Sequence, residues 1–463
     1  MTQALLEQTP TLFLNATLID GNGGDPIPDA AVRVEGNRIT HVGKTSDWPK
    51  NPDGNQRVVD VEGKTLMPGM VEAHIHVSYW GAKDLPDLDL KLSAEIGTVY
   101  GVKNAELLLR CGFTAGASAG SVSRVDVTIR DMINEGVIPG PRILASGRDI
   151  CGTSGMLDWN PAYWKLGMDG LGIFADGVDE VRKAVRQVIK ETADVIKLYI
   201  TGEGLLRPNM PPEETMYTLE EILVAVEEAH RRHRQIAAHV RGKDGVILAV
   251  KAGVDVIEHA TFCDDEAIEV IAEHKDRLFV VPGLGFVWGL LQNGEGVGIP
   301  RKLVVDLQYE EEWQNGCWAM SELHKRGVRV LPGGDYGFVW CPHGEYAKDL
   351  ELFVKFMGFT PMEAIVAATK QGSQIMRMED EIGTIESGKL ADVLVVDGDP
   401  LADITILQDR TKLALVMKDG KVMVNRIGLP QELNDIPDGI MEIERIQWAR
   451  AEVNYPTAAE VQH

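Results

Sequence analysis

At 463 residues the chain is too long for one simple core, which implies a large domain plus something smaller. Hydrophobic residues at 44% and charged residues at 25% are those of an ordinary globular protein. A formal net charge of -24 argues against nucleic acid or an anionic membrane as partner.

Five cysteines (Cys111, Cys151, Cys263, Cys317, Cys341) are odd in number and scattered. No CxxC pairing suggests a disulfide framework or a thiolate cage, so a reducing cytoplasm fits. The N-terminus lacks a basic segment followed by a long apolar core, so no secretion signal is expected. No apolar run approaches the ~18 residues of a membrane span.

In chain order, residues 11–67 read as short strands with tight turns. Alternating residues and the turns Gly23-Gly24 and Gly36-Asn37 are hairpin signals. The same texture returns from Gly383, through Ala391 to Asp397 and the hairpin around Asp419-Gly420. The expectation is a small β-sandwich domain built from 1–67 and 383–425, beside a central domain over 68–382 and a C-terminal tail over 426–463.

Between these ends the pattern becomes strand then helix. Candidate strands finish at His76, Ala117, Gly147, Tyr199, His239, His259, Pro282 and Asp335. Val178 to Lys190 and Leu219 to His233 carry apolar residues at helical spacing. Strands alternating with helices in this way predict an α/β fold, a (β/α)8 TIM-type barrel, with its chemistry at the C-terminal strand ends.

Those ends carry unusual side chains. The run Val71-Glu72-Ala73-His74-Ile75-His76 places two imidazoles two residues apart, on one face of a strand, spaced for one metal ion. Lys197 interrupts the apolar run Asp194 to Ile200; it is either an ion pair at the barrel mouth or a lysine carboxylated by CO2. His239 and His259 each end a strand, and either alone is more often a hydrogen-bonded core histidine. Asp335 follows Pro332-Gly333-Gly334 and would otherwise serve as a helix N-cap. Six such residues at strand ends make coincidence a poor account.

The set resembles the amidohydrolase superfamily: HxH on strand one, Lys on strand four, His on strands five and six, Asp on strand eight. The C-terminal part is similar to the imidazolonepropionase-like and prolidase-like branch, through His343-Gly344, Gly358-Phe359-Thr360-Pro361, Gly388-Lys389-Leu390-Ala391-Asp392 and Asp397-Gly398-Asp399-Pro400. Size and texture also resemble the phenylurea hydrolases and molinate (thiocarbamate) hydrolase. The likeness spans residues 11 to 425. It departs at Arg241, where relatives often carry a second histidine, at Gly333-Gly334-Asp335, and at Cys151-Gly152-Thr153-Ser154-Gly155-Met156 after strand three.

The resemblance implies one or two divalent ions per chain, Zn2+ before Co2+ or Mn2+. His74, His76 and Asp335 would hold one and His239 and His259 the other, bridged by carboxylated Lys197. Asp335, Lys197 and His259 would be the catalytic residues of a hydrolysis by metal-bound hydroxide. A scaffold that has lost catalysis and a mononuclear deaminase are the competing classes; retention of all the ligands argues against the first and Lys197 against the second.

For substrate, aromatic residues after predicted strands stand out: Trp80, Trp159, Trp164, Trp288 and Trp340, with Tyr79, Tyr163, Tyr199, Phe286 and Phe338. Aromatic walls suit flat or apolar ligands. A phenylurea, carbamate or thiocarbamate herbicide is expected, contacted by Trp80, Tyr199, Arg241, Trp288 and Trp340. The alternatives are an imidazolonepropionase-like cyclic amide hydrolase and an Xaa-Pro-type dipeptidase, which would need a cation for the free carboxylate, from Arg241, Arg148 or Arg207. The tail carries Ile440, Ile443, Ile446 and Trp448, an apolar set that predicts a homo-oligomer contact or packing on its own chain.

Overall fold

The computed structural model describes residues 9–48, 56–163, 170–206 and 210–429. Trp164, Arg207 and the apolar set of the tail lie outside these residues.

The chain adopts an α/β fold with parallel sheets. Parallel strands run Met70–Ile75, Phe113–Ser118, Arg142–Leu144, Val195–Tyr199, Gln235–Gly242, Val256–Phe262, Phe279–Val281 and Arg329–Val330. Their side chains alternate between two apolar layers. Val71, Ala73, Ala115, Val195, Ala237, Val256 and Val281 pack with one another. Ile196, Leu198, Ile236, Ala238, Ile257 and Val280 pack toward the helices. Strands covered on both faces read as continuous apolar runs, which is why Lys197 is conspicuous in sequence. Ala73 N donates to Pro332 O at 3.1 Å, and Val195 N to Ala145 O at 3.1 Å.

The third strand differs from its expected form. It stops at Leu144, and pairing resumes at Asp149–Cys151, where Ile150 lies opposite Leu198. The intervening turn is held by Asp126, whose carboxylate accepts from Ser146 N (2.7 Å) and Gly147 N (3.0 Å). The eighth strand is only two residues long, so Asp335 sits on a loop beyond it.

Helices start where capping chemistry allows. Thr218 Oγ1 accepts from Glu221 N at 3.4 Å, and the Glu221 side chain accepts from Thr218 N, closing a capping box on the helix Leu219–Arg231. Its inner face buries Ile222, Ala225, Val226 and Ala229. Thr360 and Glu363 repeat the device ahead of Pro361–Val366, with proline at the first helical position, where its missing N–H costs nothing.

A second sheet draws strands from both ends of the sequence. Thr65–Pro68 pairs antiparallel with Val393–Val396 on one side and parallel with Thr11–Leu18 on the other. Arg57–Asp60 pairs with the first half of Thr11–Leu18 and stands off the main path of the sheet. Its core holds Phe13, Val32, Leu66, Val395 and Leu415. Among the described residues no helix is long and apolar enough to cross a membrane.

Candidate metal centre

The sequence-predicted ligands converge. His74 closes the first strand and His76 follows it; their Nε2 atoms are 3.2 Å apart. Asp335 Oδ1 lies 3.0 Å from His76 Nε2 and 3.6 Å from His74 Nε2. Across the site His259 Nε2 is 3.0 Å from His239 Nδ1. The His74 and His259 rings are 5.4 Å apart, so the two halves touch. His74, His259 and Asp335 present ligand atoms within 4.8 Å of one another.

Backbone geometry is unusual where the ligands project. His259, Ala260 and Asp335 have positive φ (76°, 51° and 62°), a region that non-glycine residues enter at a cost of about 1–3 kcal/mol each. Such strain persists where the surroundings over-determine it. Gly333 is one determinant: a Cβ there would lie 2.5 Å from Val281 and 2.9 Å from His74, so only glycine lets the last strand approach the first.

These side chains fit a divalent cation. Burial holds His74, His239 and His259 well below the ordinary imidazole pKa, against a smaller opposing pull from Asp335 on the first two. They are therefore neutral lone-pair donors. His76 Nδ1 donates to Gly120 O at 2.9 Å, which leaves Nε2 as the lone pair facing Asp335. His74 Nδ1, His239 Nε2 and His259 Nδ1 are buried without hydrogen-bond partners. Asp335 Oδ1 lies against the Nε2 atoms of both His74 and His76 and brings a carboxylate oxygen to the same point. Imidazole nitrogen with carboxylate oxygen is the donor mixture of Zn2+ and its neighbours.

Lys197 is 1% exposed, and burial lowers it to about 8 while Asp149 and Asp335 pull the other way. Its Nζ is paired with Glu258, the residue before His259. Tyr199 stacks on His239 at 4.5 Å, and Tyr79 stacks on His76 at 4.2 Å with ring planes 1° apart.

Arg241 is completely buried and committed: its terminal nitrogens pair with Glu312 and with Glu203, the latter at 2.8 Å. Tyr309 donates to Glu203 at 2.9 Å and Thr261 to Glu312 at 2.7 Å. Burial would lower the guanidinium's pKa, but the two carboxylates hold it above its ordinary value. Burial, partly countered by Arg241, raises Glu203 to about 7.

The aromatic residues divide. Tyr79 meets Phe338 at 5.9 Å, and Phe338 stacks on buried Trp340 at 5.2 Å, so these reach the His76 side of the site. Trp80 stacks instead on Tyr100 at 4.7 Å. Trp288 packs with Trp313 and Phe356 at 5.0 and 5.4 Å. Trp159 donates to Asp89 at 2.7 Å.

Several site residues escaped the sequence reading. Glu72 accepts from Gly334 N at 3.0 Å and thereby fixes the loop that carries Asp335. Glu258 engages Lys197, and Glu203 and Glu312 clamp Arg241. Asp149 lies beside the site with neither oxygen hydrogen-bonded. Acidic residues inside apolar strands were the available signal for Glu72, Asp149 and Glu258.

The amidohydrolase family pattern matches residues 65–423. Ochratoxinase of Aspergillus niger is 30% identical over 452 residues, covering 90% of this chain and 87% of that protein. A solved Xaa-Pro dipeptidase with methionine in its active site is 28% identical, with TM-score 0.80 over 89% of this chain and 99% of that one. Molinate hydrolase shares the fold at 24% identity, with TM-score 0.73 over 91% and 96% of the two chains. Imidazolonepropionases and phenylurea hydrolase B also match, at 22% and 24% identity. The chain is a member of the amidohydrolase family, on the branch that its C-terminal motifs suggested. It is a hydrolase acting on carbon–nitrogen bonds.

Proposed function

We propose that this chain is a metal-dependent amidohydrolase that cleaves the carbonyl C–N bond, or the related C–S or C–O bond, of a small neutral apolar substrate such as a phenylurea, carbamate or thiocarbamate. The observation that carries the reading is the convergence of His74, His76, His239, His259 and Asp335 on one buried point, with Lys197 beside them. His74, His76 and Asp335 would hold one ion and His239 and His259 a second, with Lys197 as a CO2-derived carbamate between them. A divalent ion there supplies Lewis acidity and a water of lowered pKa. Asp335 takes the proton of the attacking water and passes it to the leaving group. Tyr79 and Tyr199 wall the site and exclude water. The frame for this site is a closed (β/α)8 barrel over 68–382, beside a composite β-sandwich domain from 1–67 and 383–425. The Ala73–Pro332 and Val195–Ala145 bonds support the closure.

Arg241 favours a neutral substrate over a dipeptide. Both its terminal nitrogens are taken, so its fork is not available for a substrate carboxylate. Arg148 is paired with Glu191. The dipeptidase reading keeps the likeness to the solved Xaa-Pro dipeptidase in its favour. The test compares kcat/KM for an N-aryl-N′,N′-dialkylurea, an N,N-dialkylthiocarbamate and an Xaa-Pro dipeptide on protein prepared without chelators. Elemental analysis of the same sample should find at least one divalent transition metal per chain. Turnover of the dipeptide alone overturns the substrate class, and full activity without metal overturns the centre.

We also propose a cytoplasmic homo-oligomer with the tail, 426–463, at its contact. All five cysteines are free thiols, which suits a reducing compartment. Light scattering on a chain lacking 430–463 tests the contact: an unchanged oligomer rejects it.

A further inference from the structure

Asp149 is the group that the reaction leaves unused. It is wholly buried, and both carboxylate oxygens lack a hydrogen-bond partner. A buried carboxylate without donors is among the costliest arrangements in a protein and calls for a specific explanation. The chain makes deliberate room for it. A Cβ at position 120 would lie 2.5 Å from each of its oxygens, so the carboxylate occupies space that only glycine provides, at a φ of +130°. That same Gly120 accepts the hydrogen bond from His76. The register puts Ile150 opposite Leu198, which sets Asp149 beside Lys197. Lys197 does not satisfy it, because its Nζ is committed to Glu258. Asp149 is also the leading charge acting on the Tyr79 and Tyr199 hydroxyls, the two rings stacked on the ligand histidines.

We propose that Asp149 is a specificity-determining residue that receives a protonated amino group carried by the substrate next to the scissile carbonyl. The inference rests on the metal-dependent hydrolase reading above but replaces its neutral substrate by a cationic one: among acyl substrates without a free carboxylate, an aminoacyl amide is preferred over its uncharged counterpart. Its position against Gly120, one bond network from His76, places the ammonium within a few atoms of the carbonyl under attack. A buried carboxylate with no donor of its own is satisfied by an arriving cation.

The test uses metal-loaded protein and a matched pair, leucine anilide and its des-amino analogue 4-methylpentananilide. The wild type should favour the ammonium substrate in kcat/KM by about 30-fold, the scale of a buried charge pair losing one partner. Asp149→Asn, which keeps shape and loses charge, should erase that preference by lowering kcat/KM for the ammonium substrate toward that of the neutral anilide, with metal content unchanged. A ratio that survives the substitution, or a joint loss of metal and of both activities, overturns the assignment. Should the variant fold poorly, inhibition of the wild type by isopentylammonium against isopentanol decides: equal inhibition rejects the ammonium site. If neither anilide reacts, calorimetric binding of isopentylammonium to wild type and Asp149→Asn still judges Asp149. The urea and thiocarbamate assays judge the hydrolase reading separately.

Discussion

Replacing Arg241 by methionine should destabilise the protein far more than replacing Glu203 by glutamine. Arg241 stands between two buried carboxylates, so the cluster holds one cation and two anions with a surplus negative charge. Glu203, raised to about 7, is the group that carries the surplus. Removing the cation leaves two carboxylates facing each other in a space where Arg241 is 0% exposed and each glutamate 2%. Uncompensated buried charge costs about 3–5 kcal/mol. Removing one carboxylate instead leaves a balanced Arg241–Glu312 pair, and a glutamine oxygen still accepts from Tyr309; the cost is about 1 kcal/mol or less. In a domain this large 1 kcal/mol moves Tm by about 2 °C. Arg241→Met should therefore lower Tm by about 6–10 °C and Glu203→Gln by about 2 °C or less. Scanning calorimetry of the metal-loaded proteins measures both. Equal losses would refute the charge accounting and leave shape as the cause.

Asp335→Asn should cut kcat by roughly 10²–10⁴-fold, the share of a general acid–base, while circular dichroism stays native. His343 supplies a pH test. Its ring accepts from Tyr346 and donates to Tyr79 O, both at 3.0 Å, and burial lowers it to about 4, with the Tyr79 bond opposing. The unfolded ring takes up a proton near pH 6.5, and the folded ring only near 4. Between those values the unfolded state binds more protons, so stability falls as pH falls through that window, by up to about 3 kcal/mol. His343→Gln should remove that part of the slope in urea midpoints at pH 7 and 4.5; an unchanged slope rejects the assignment.

The elements that could be read in the sequence are those where local pattern and tertiary role agree. The strand bearing Lys197 announces itself because a charge breaks a run buried on both faces. His74 and His76 share a strand end by simple alternation. What stayed hidden depends on contacts between distant segments or on broken alternation. The positive φ at His259 and Ala260 breaks the two-residue repeat, so Glu258 and its neighbour both contribute to the site. Glu312 sits in the helix Tyr309–Lys325, where its spacing reads as one more acidic first turn. Asp149 follows a strand whose sequence pattern ends at Gly147, and only the resumed pairing at Ile150 brings it to the site. Trp288 looked like a wall of the pocket; its place in the helix Leu284–Asn293 turns the ring toward Trp313 and Phe356.

The second sheet has a consequence for how the molecule is made. Thr65–Pro68 lies in its middle, and its antiparallel neighbour Val393–Val396 belongs to the far end of the chain. As the polypeptide leaves the ribosome, the N-terminal strands emerge with that edge unpaired and the whole catalytic domain still to be synthesised. An open strand edge is a template for pairing with another chain. A nascent chain interrupted before Val393 therefore exposes an adhesive seam, which is sealed only once the distant segment Val393–Val396 has been translated.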